Sequence, residues 1–180
     1  REATLQRRID NLSSNETKPM KITEVVCQVL RIKSVIAKTA SSQDSVLVRI
    51  RTDTGLEGVG EADSSPEVVK AIIDAPFSHN IACGLREILV GENPLEHERL
   101  WQKMYRRTMF FGRKAVGIAA MSAIDMALWD IKGKSANLPV FRLLGGTRTE
   151  VFTYSVGGFY VEGAPLQSYA QEFAEYVEKG

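Results

Sequence analysis

Asp53-Thr54-Gly55 sits between two runs of alternating side chains, SVLVRIRT at 45–52 and LEGVGEA at 56–62. In the first run Val46, Val48 and Ile50 alternate with Leu47, Arg49 and Arg51, so one face is apolar and the other is wetter. Asp and Gly supply the unusual backbone angles that a tight hairpin needs, so the two runs pair as antiparallel strands. Upstream, KITEVVCQVLRIKSV at 21–35 is rich in Val and Ile and alternates in part through Ile22, Val25, Cys27 and Val29. The small polar stretch AKTASSQD at 37–44 reads as a loop joining it to the hairpin. Three strands with short connections predict an antiparallel meander.

Helical signals follow. Ser64-Ser65-Pro66-Glu67 reads as a helix start, with a serine able to cap and Pro66 in the first turn, where no N–H is missed. That helix is expected to stop at Pro76, with further helices over 79–91 and 93–108. The longest helix is predicted from Arg113 to Ser135, its residues Ile118, Met121, Ile124, Leu128 and Ile131 forming one stripe. Asn137 fits a left-handed helix end, and PVFRLL at 139–144 adds a further turn or two, closed by Gly145-Gly146. After Gly146 the texture changes. VFTYSVGG at 151–158 is β-rich and Pro165 to Lys179 is helical, which together read as one β/α unit.

The chain has 180 residues, 44% hydrophobic and 25% charged, an ordinary globular balance. A formal net charge of +1 gives no electrostatic case for nucleic acid or an anionic membrane as partner. No apolar run approaches the roughly 20 residues of a membrane span, and no secretory leader is evident. Cys27 and Cys83 lack metal-ligand spacing and stand in apolar settings, so free buried thiols in a reducing cytoplasm are expected. The glycosylation patterns at Asn11 and Asn15 are read as chance. Residues 1–19 are polar and are expected to form a disordered tail, the patterned chain starting at or near Met20.

The stretch 123–146, AIDMALWDIKGKSANLPVFRLLGG, holds no cysteine and no histidine. Yet the run from Ala120 to Gly145 resembles the signature of the mandelate racemase/muconate lactonizing enzyme family of the enolase superfamily. The matching positions are Ala120, Ser122, Ala123, Asp125, Ala127, Leu128, Asp130, Gly133, Lys134, Pro139, Val140, Leu143, Leu144 and Gly145. The meander, the GEA at 60–62 and the helical block fit the same family. The resemblance implies an α+β fold: an enolase-like N-terminal capping domain over 20–146, then the first β/α unit of a barrel over 147–180.

The resemblance also implies chemistry. Such enzymes remove a proton α to a carboxylate, with Mg²⁺ stabilising the enediolate. Their metal ligands lie on middle barrel strands, and their base is often in a Lys-x-Lys pair on the second. A barrel needs about 250 residues, and Gly180 falls just before the second strand would begin. No catalytic or metal residue is therefore assigned in this chain, which alone is expected to be inactive. For the whole enzyme an acid-sugar dehydratase is the first expectation, because the loops are polar and hydroxyl-rich. Racemase, epimerase and cycloisomerase stay open. So does a reading from another class, a non-catalytic capping or interaction module. The implied partner is a small carboxylate or acid-sugar substrate, and a homo-oligomer is expected of the parent enzyme.

The family's capping domain sends two loops over the active-site mouth, by position Ile36 to Asp44 and Glu61 to Ser65. Candidate substrate-binding residues are Lys38, Thr39, Ser41, Glu61 and Asp63, with Tyr154 and Ser155 ending the first barrel strand. A lysine, hydroxyls and carboxylates suit a carboxylate or polyol ligand, although Glu61 could equally fix the loop backbone. Asp125 and Asp130 do not make an acid/base pair, being about 140° apart around an ideal helix. Asp130 precedes Lys134 in the favourable order for a surface ion pair. Arg106, Arg107, Arg113 and Lys114 surround Phe110-Phe111-Gly112 and read as a solvated helix end, with a phenylalanine packed at an interface. His79 and His97 are isolated and read as structural or surface residues.

Overall fold

A computed structural model describes residues 19–33, 44–80, 82–110, 112–154, 157–159 and 161–179. Residues 1–18 of the expected tail and the loop bearing Lys38, Thr39 and Ser41 therefore lie outside the described residues, as do Phe111 and Ser155. Three strands, β1 (Ile22–Arg31), β2 (Asp44–Thr52) and β3 (Glu57–Ala62), form an antiparallel sheet in that order. The hairpin is where the sequence puts it. Gly55 has φ +82, its N–H donates to Thr52 O at 3.1 Å, and Thr52 N–H donates to Leu56 O at 3.0 Å.

Val46, Val48 and Ile50 are buried, together with Ile22, Val25 and Cys27. On that face lie α1 (Pro66–Asp74), α2 (Leu85–Leu89), α3 (His97–Arg107) and the long α4 (Val116–Ala136). α4 lies closest. A Cβ added to Gly60 would sit 1.9 Å from Ala123 O, and one on Gly58 2.0 Å from Ala127 O. Two glycines on β3 and two alanines on α4 therefore let strand and helix backbones touch.

Side chains take up backbone groups of both edge strands. On β1, Lys70 Nζ donates to Cys27 O at 3.0 Å and Arg86 Nε to Val25 O at 2.7 Å, and both cations also bind Asp74. On β3, Val59 N–H donates to Asp130 Oδ2 at 2.9 Å and Lys134 Nζ to Glu57 O at 2.7 Å. Exposed edges invite pairing with other chains, and these clamps blunt both.

Four local expectations need correction. The helix predicted over 79–91 is only Leu85–Leu89, preceded by an isolated bridge between His79 and Ala82. Gly84 donates to Ala75 O at 2.9 Å and is pressed so close that a Cβ would lie 2.3 Å from that oxygen, a tertiary contact no local pattern encodes. Ser65 makes no side-chain cap; only its carbonyl is used, by Val69 N–H at 3.0 Å. The long helix starts at Val116, not Arg113, because Ala115 has φ 47 and ψ −116, outside helical space. Val151–Tyr154 are exposed and form no strand among the described residues, as a strand without a ladder partner gains little. The left-handed end at Asn137 holds (φ 52, ψ 41), followed by α5 (Val140–Leu143); the last helix is α6 (Leu166–Lys179).

Candidate functional site

Of the described candidates, Glu61 and Asp63 lie together at one end of the sheet. Leu30, Arg31, Ile32, Asp44, Ser45, Glu61 and Asp63 line a cleft of about 410 Å³. Strand register makes it. Leu47 lies opposite Glu61 and Val46 opposite Ala62, so Ser45 and Glu61 are diagonal neighbours on the sheet's outer face. Ser45 Oγ donates to Glu61 Oε1 at 2.7 Å and lies 3.3 Å from Ala62 O. Glu61 is thus held by a neighbouring strand's hydroxyl. On the opposite rim Arg31 pairs with Asp44 at 3.6 Å and with Glu67 of α1 at 3.4 Å. The cleft offers exposed carboxylates beside one guanidinium, a donor and acceptor set suited to polyol hydroxyls.

Tyr154 is 82% exposed and is not among the cleft's walls. Sequence reasoning missed Ser45, Arg31 and Asp44 as site residues. Counting the register outward from the Asp53–Gly55 turn would have placed Ser45 beside Glu61.

Outside the cleft, His97 packs its ring 4.7 Å from Trp129, tilted 32°. Both its nitrogens are shut from solvent and have no hydrogen-bond partner among the described residues. Burial, with Lys132 nearby, pushes its pKa down to about 4. Burial raises the Asp125 carboxyl, against a hydrogen bond with Trp129. Asp130, by contrast, accepts from Val59 and Lys134, so the two carboxylates serve separate partners. In the basic cluster the Arg113 guanidinium lies 4.5 Å above the Tyr105 ring, and Phe110 is 66% exposed.

Both cysteines are free and buried, and burial, reinforced by Asp74, lifts the Cys27 thiol to about 11. Among the described residues no three His, Cys, Asp or Glu side chains converge to hold a metal ion, so these residues do not fit a magnesium site. No described helix is long and apolar enough to cross a membrane.

Residues 20–145 match the mandelate racemase/muconate lactonizing enzyme N-terminal domain. The chain belongs to this family. An arabinonate dehydratase of Saccharolobus solfataricus is 38% identical over 137 residues, which cover 75% of this chain and 35% of that protein. The crystal structure of the 3,6-anhydro-D-galactonate cycloisomerase of Zobellia galactanivorans has a TM-score of 0.58 at 40% identity, covering 70% of this chain and 32% of that one. A mandelate racemase/muconate lactonizing protein of Paracoccus denitrificans, complexed with magnesium, has a TM-score of 0.66 at 30% identity, covering 88% and 39%. The chain spans about a third of the length of the curated relatives it matches.

The family's signature stretch now has a physical account. Ala123 and Ala127 admit the β3 glycines, Asp130 and Lys134 clamp the strand's edge, and Leu138 N–H closes α4 by donating to Gly133 O at 2.9 Å. These positions serve the joint between helix and sheet.

Proposed function

We propose that this chain is the capping part of an enolase-superfamily enzyme that removes a proton α to a carboxylate, an acid-sugar dehydratase. Residues 20–146 form the cap and residues 147–180 begin the barrel. The observation that carries this reading is the family match over 20–145, joined to 38% identity with an arabinonate dehydratase. The sheet-end cleft supports it, because Glu61 and Asp63 line it and their carboxylates suit the hydroxyls of a polyol chain. Lys38, Thr39 and Ser41, with Tyr154 and Ser155, complete the proposed substrate-facing set; their types suit a carboxylate with several hydroxyls.

Within this chain the proposed work is binding and orientation. Ser45 holds the Glu61 carboxylate so that its remaining lone pairs can accept substrate hydroxyls. The family's magnesium is proposed for the whole enzyme, supported by the Paracoccus structure. The free buried cysteines fit a cytoplasmic setting, and the whole enzyme is expected to be a homo-oligomer.

A cycloisomerase is the second reading, favoured by 40% identity to the Zobellia enzyme. One experiment separates the two. The protein expressed from its complete gene is incubated with a panel of aldonic, aldaric and anhydro-sugar acids. A dehydratase yields 2-keto-3-deoxy acids with loss of water. A product of unchanged mass shows a cycloisomerase, racemase or epimerase instead. No reaction with any member removes the acid-sugar assignment.

A further inference from the structure

Arg31 is held loosely for an arginine of this sheet. On the same strands Arg51 holds Glu24 at 2.6 Å and Glu57 at 2.9 Å, and Arg49 holds Glu57 at 3.1 Å. These are close, charge-assisted contacts. Arg31 reaches Asp44, its register partner, at 3.6 Å and Glu67 of α1 at 3.4 Å. Both contacts are long for an ionised pair, and the Arg31 side chain stays half exposed. A guanidinium carries five N–H donors in a fixed fork. Two distant carboxylates keep this fork in place without occupying its donors closely.

Arg31 lines the sheet-end cleft from the rim opposite Glu61, whose carboxylate accepts from Ser45 at 2.7 Å. Leu30 and Ile32, on either side of Arg31 in the chain, put exposed apolar surface on the same cleft. A sugar chain carries both textures, C–H faces that pack on apolar surface and hydroxyls that can both donate and accept. The cleft supplies an apolar wall from Leu30 and Ile32, an acceptor from Glu61 and a donor from Arg31. We propose that Arg31 is a specificity-determining residue: it donates to a hydroxyl oxygen at the end of the substrate remote from the reacting carboxylate, and so favours longer acid sugars over shorter ones. Asp44 and Glu67 already offset its charge, which makes a neutral hydroxyl a better ligand there than a second carboxylate. The proposal rests on the reading above, in which the barrel holds the reacting carboxylate and the cap meets the far end of the substrate.

The test uses the enzyme expressed from its complete gene, with Arg31→Ala and Arg31→Lys. KM and kcat are measured on an acid sugar that it turns over and on the same acid shortened by its terminal hydroxyl-bearing carbon, with Ki in place of KM where the short acid does not react. Arg31→Ala raises KM for the long acid roughly ten-fold, the loss of one charged hydrogen bond, and leaves the short acid and kcat within about two-fold. Arg31→Lys, which keeps the charge beside Asp44 and Glu67 but not the fork, shows the same selective rise at smaller size. An unchanged KM for the long acid overturns the proposal. So does an equal rise for both acids, which marks a lost cleft shape, or a substrate whose far end is a second carboxylate. If the wild type turns over no acid sugar, the dehydratase reading fails separately, and titration calorimetry with D-galactonate decides the cleft. Binding weakened roughly ten-fold in Arg31→Ala upholds the role of Arg31; binding that is equal in the two, or absent from the wild type, overturns it.

Discussion

Asp130 Oδ2 accepts the Val59 backbone N–H at 2.9 Å, tying the long helix to the edge strand of the sheet. Lys134, one turn on, reaches the same carboxylate at 2.8 Å and the Glu57 carbonyl at 2.7 Å. Asp130→Ala removes the acceptor from both donors at a half-exposed position and lowers stability by about 1–2 kcal/mol. Asp130→Asn keeps an acceptor for Val59 and loses less. Urea titrations followed by circular dichroism read the order; two variants equal to wild type would show the clamp to be incidental.

The contact between β3 and α4 makes a sharper demand. Gly60→Ala drives a methyl to 1.9 Å from Ala123 O, where only backbone can give way. The expected cost exceeds about 3 kcal/mol, or the chain fails to fold. Gly55→Ala meets nothing within 4 Å and suffers only its φ of +82, about 1 kcal/mol. Soluble yield and melting temperature compare the two, and similar losses at both would contradict the close packing.

The helix end at Asn137 separates backbone from side-chain effects. With φ 52 and ψ 41 it occupies the left-handed region, and its N–H donates to Lys134 O at 3.2 Å. Asn137→Gly relieves the Cβ and leaves stability unchanged or raised by a few tenths of a kcal/mol. Asn137→Val, branched at Cβ, lowers it by about 1–2 kcal/mol. Thermal melts of the pair test this, and Val matching Gly is the outcome that rules it out.

His97 gives a pH dependence with a definite sign. The unfolded imidazole takes a proton near 6.5, whereas burial and Lys132 hold the folded one near 4. Between those values the unfolded chain binds more protons, so His97 makes stability fall as pH drops from about 6.5 towards 4. His97→Phe keeps a flat ring against Trp129 and removes this contribution. The stability difference between wild type and variant is expected to change across that window and to be flat above it; a flat difference throughout means His97 does not titrate there.

Local signals carried much of this fold. Alternation about Asp53–Gly55 gave the hairpin its register, Pro66 and Asn137 marked helix ends, and the stripe from Ile118 to Ile131 marked the long helix. What stayed illegible depends on contacts distant in sequence. Nothing near Gly84 says that Ala75 O will approach it, and nothing near Asp130 names Val59 as its partner. The site followed the same rule. Glu61 and Asp63 are candidates by their place in the loop after β3, whereas Ser45, Arg31 and Asp44 join the cleft only once three strands lie side by side. His97 reads in the sequence as a structural or surface residue; its buried nitrogens, without a hydrogen-bond partner among the described residues, come from α3 meeting α4, which no single helix reveals.

The central claim is the removal of a hydrogen α to a carboxylate, and isotope substitution tests it most directly. An acid sugar deuterated at the carbon next to the carboxylate is given, with magnesium, to the enzyme expressed from its complete gene. The account predicts slower turnover than with the unlabelled substrate and loss of the label from that carbon. A product that retains all its deuterium there, formed at the unlabelled rate, would contradict it.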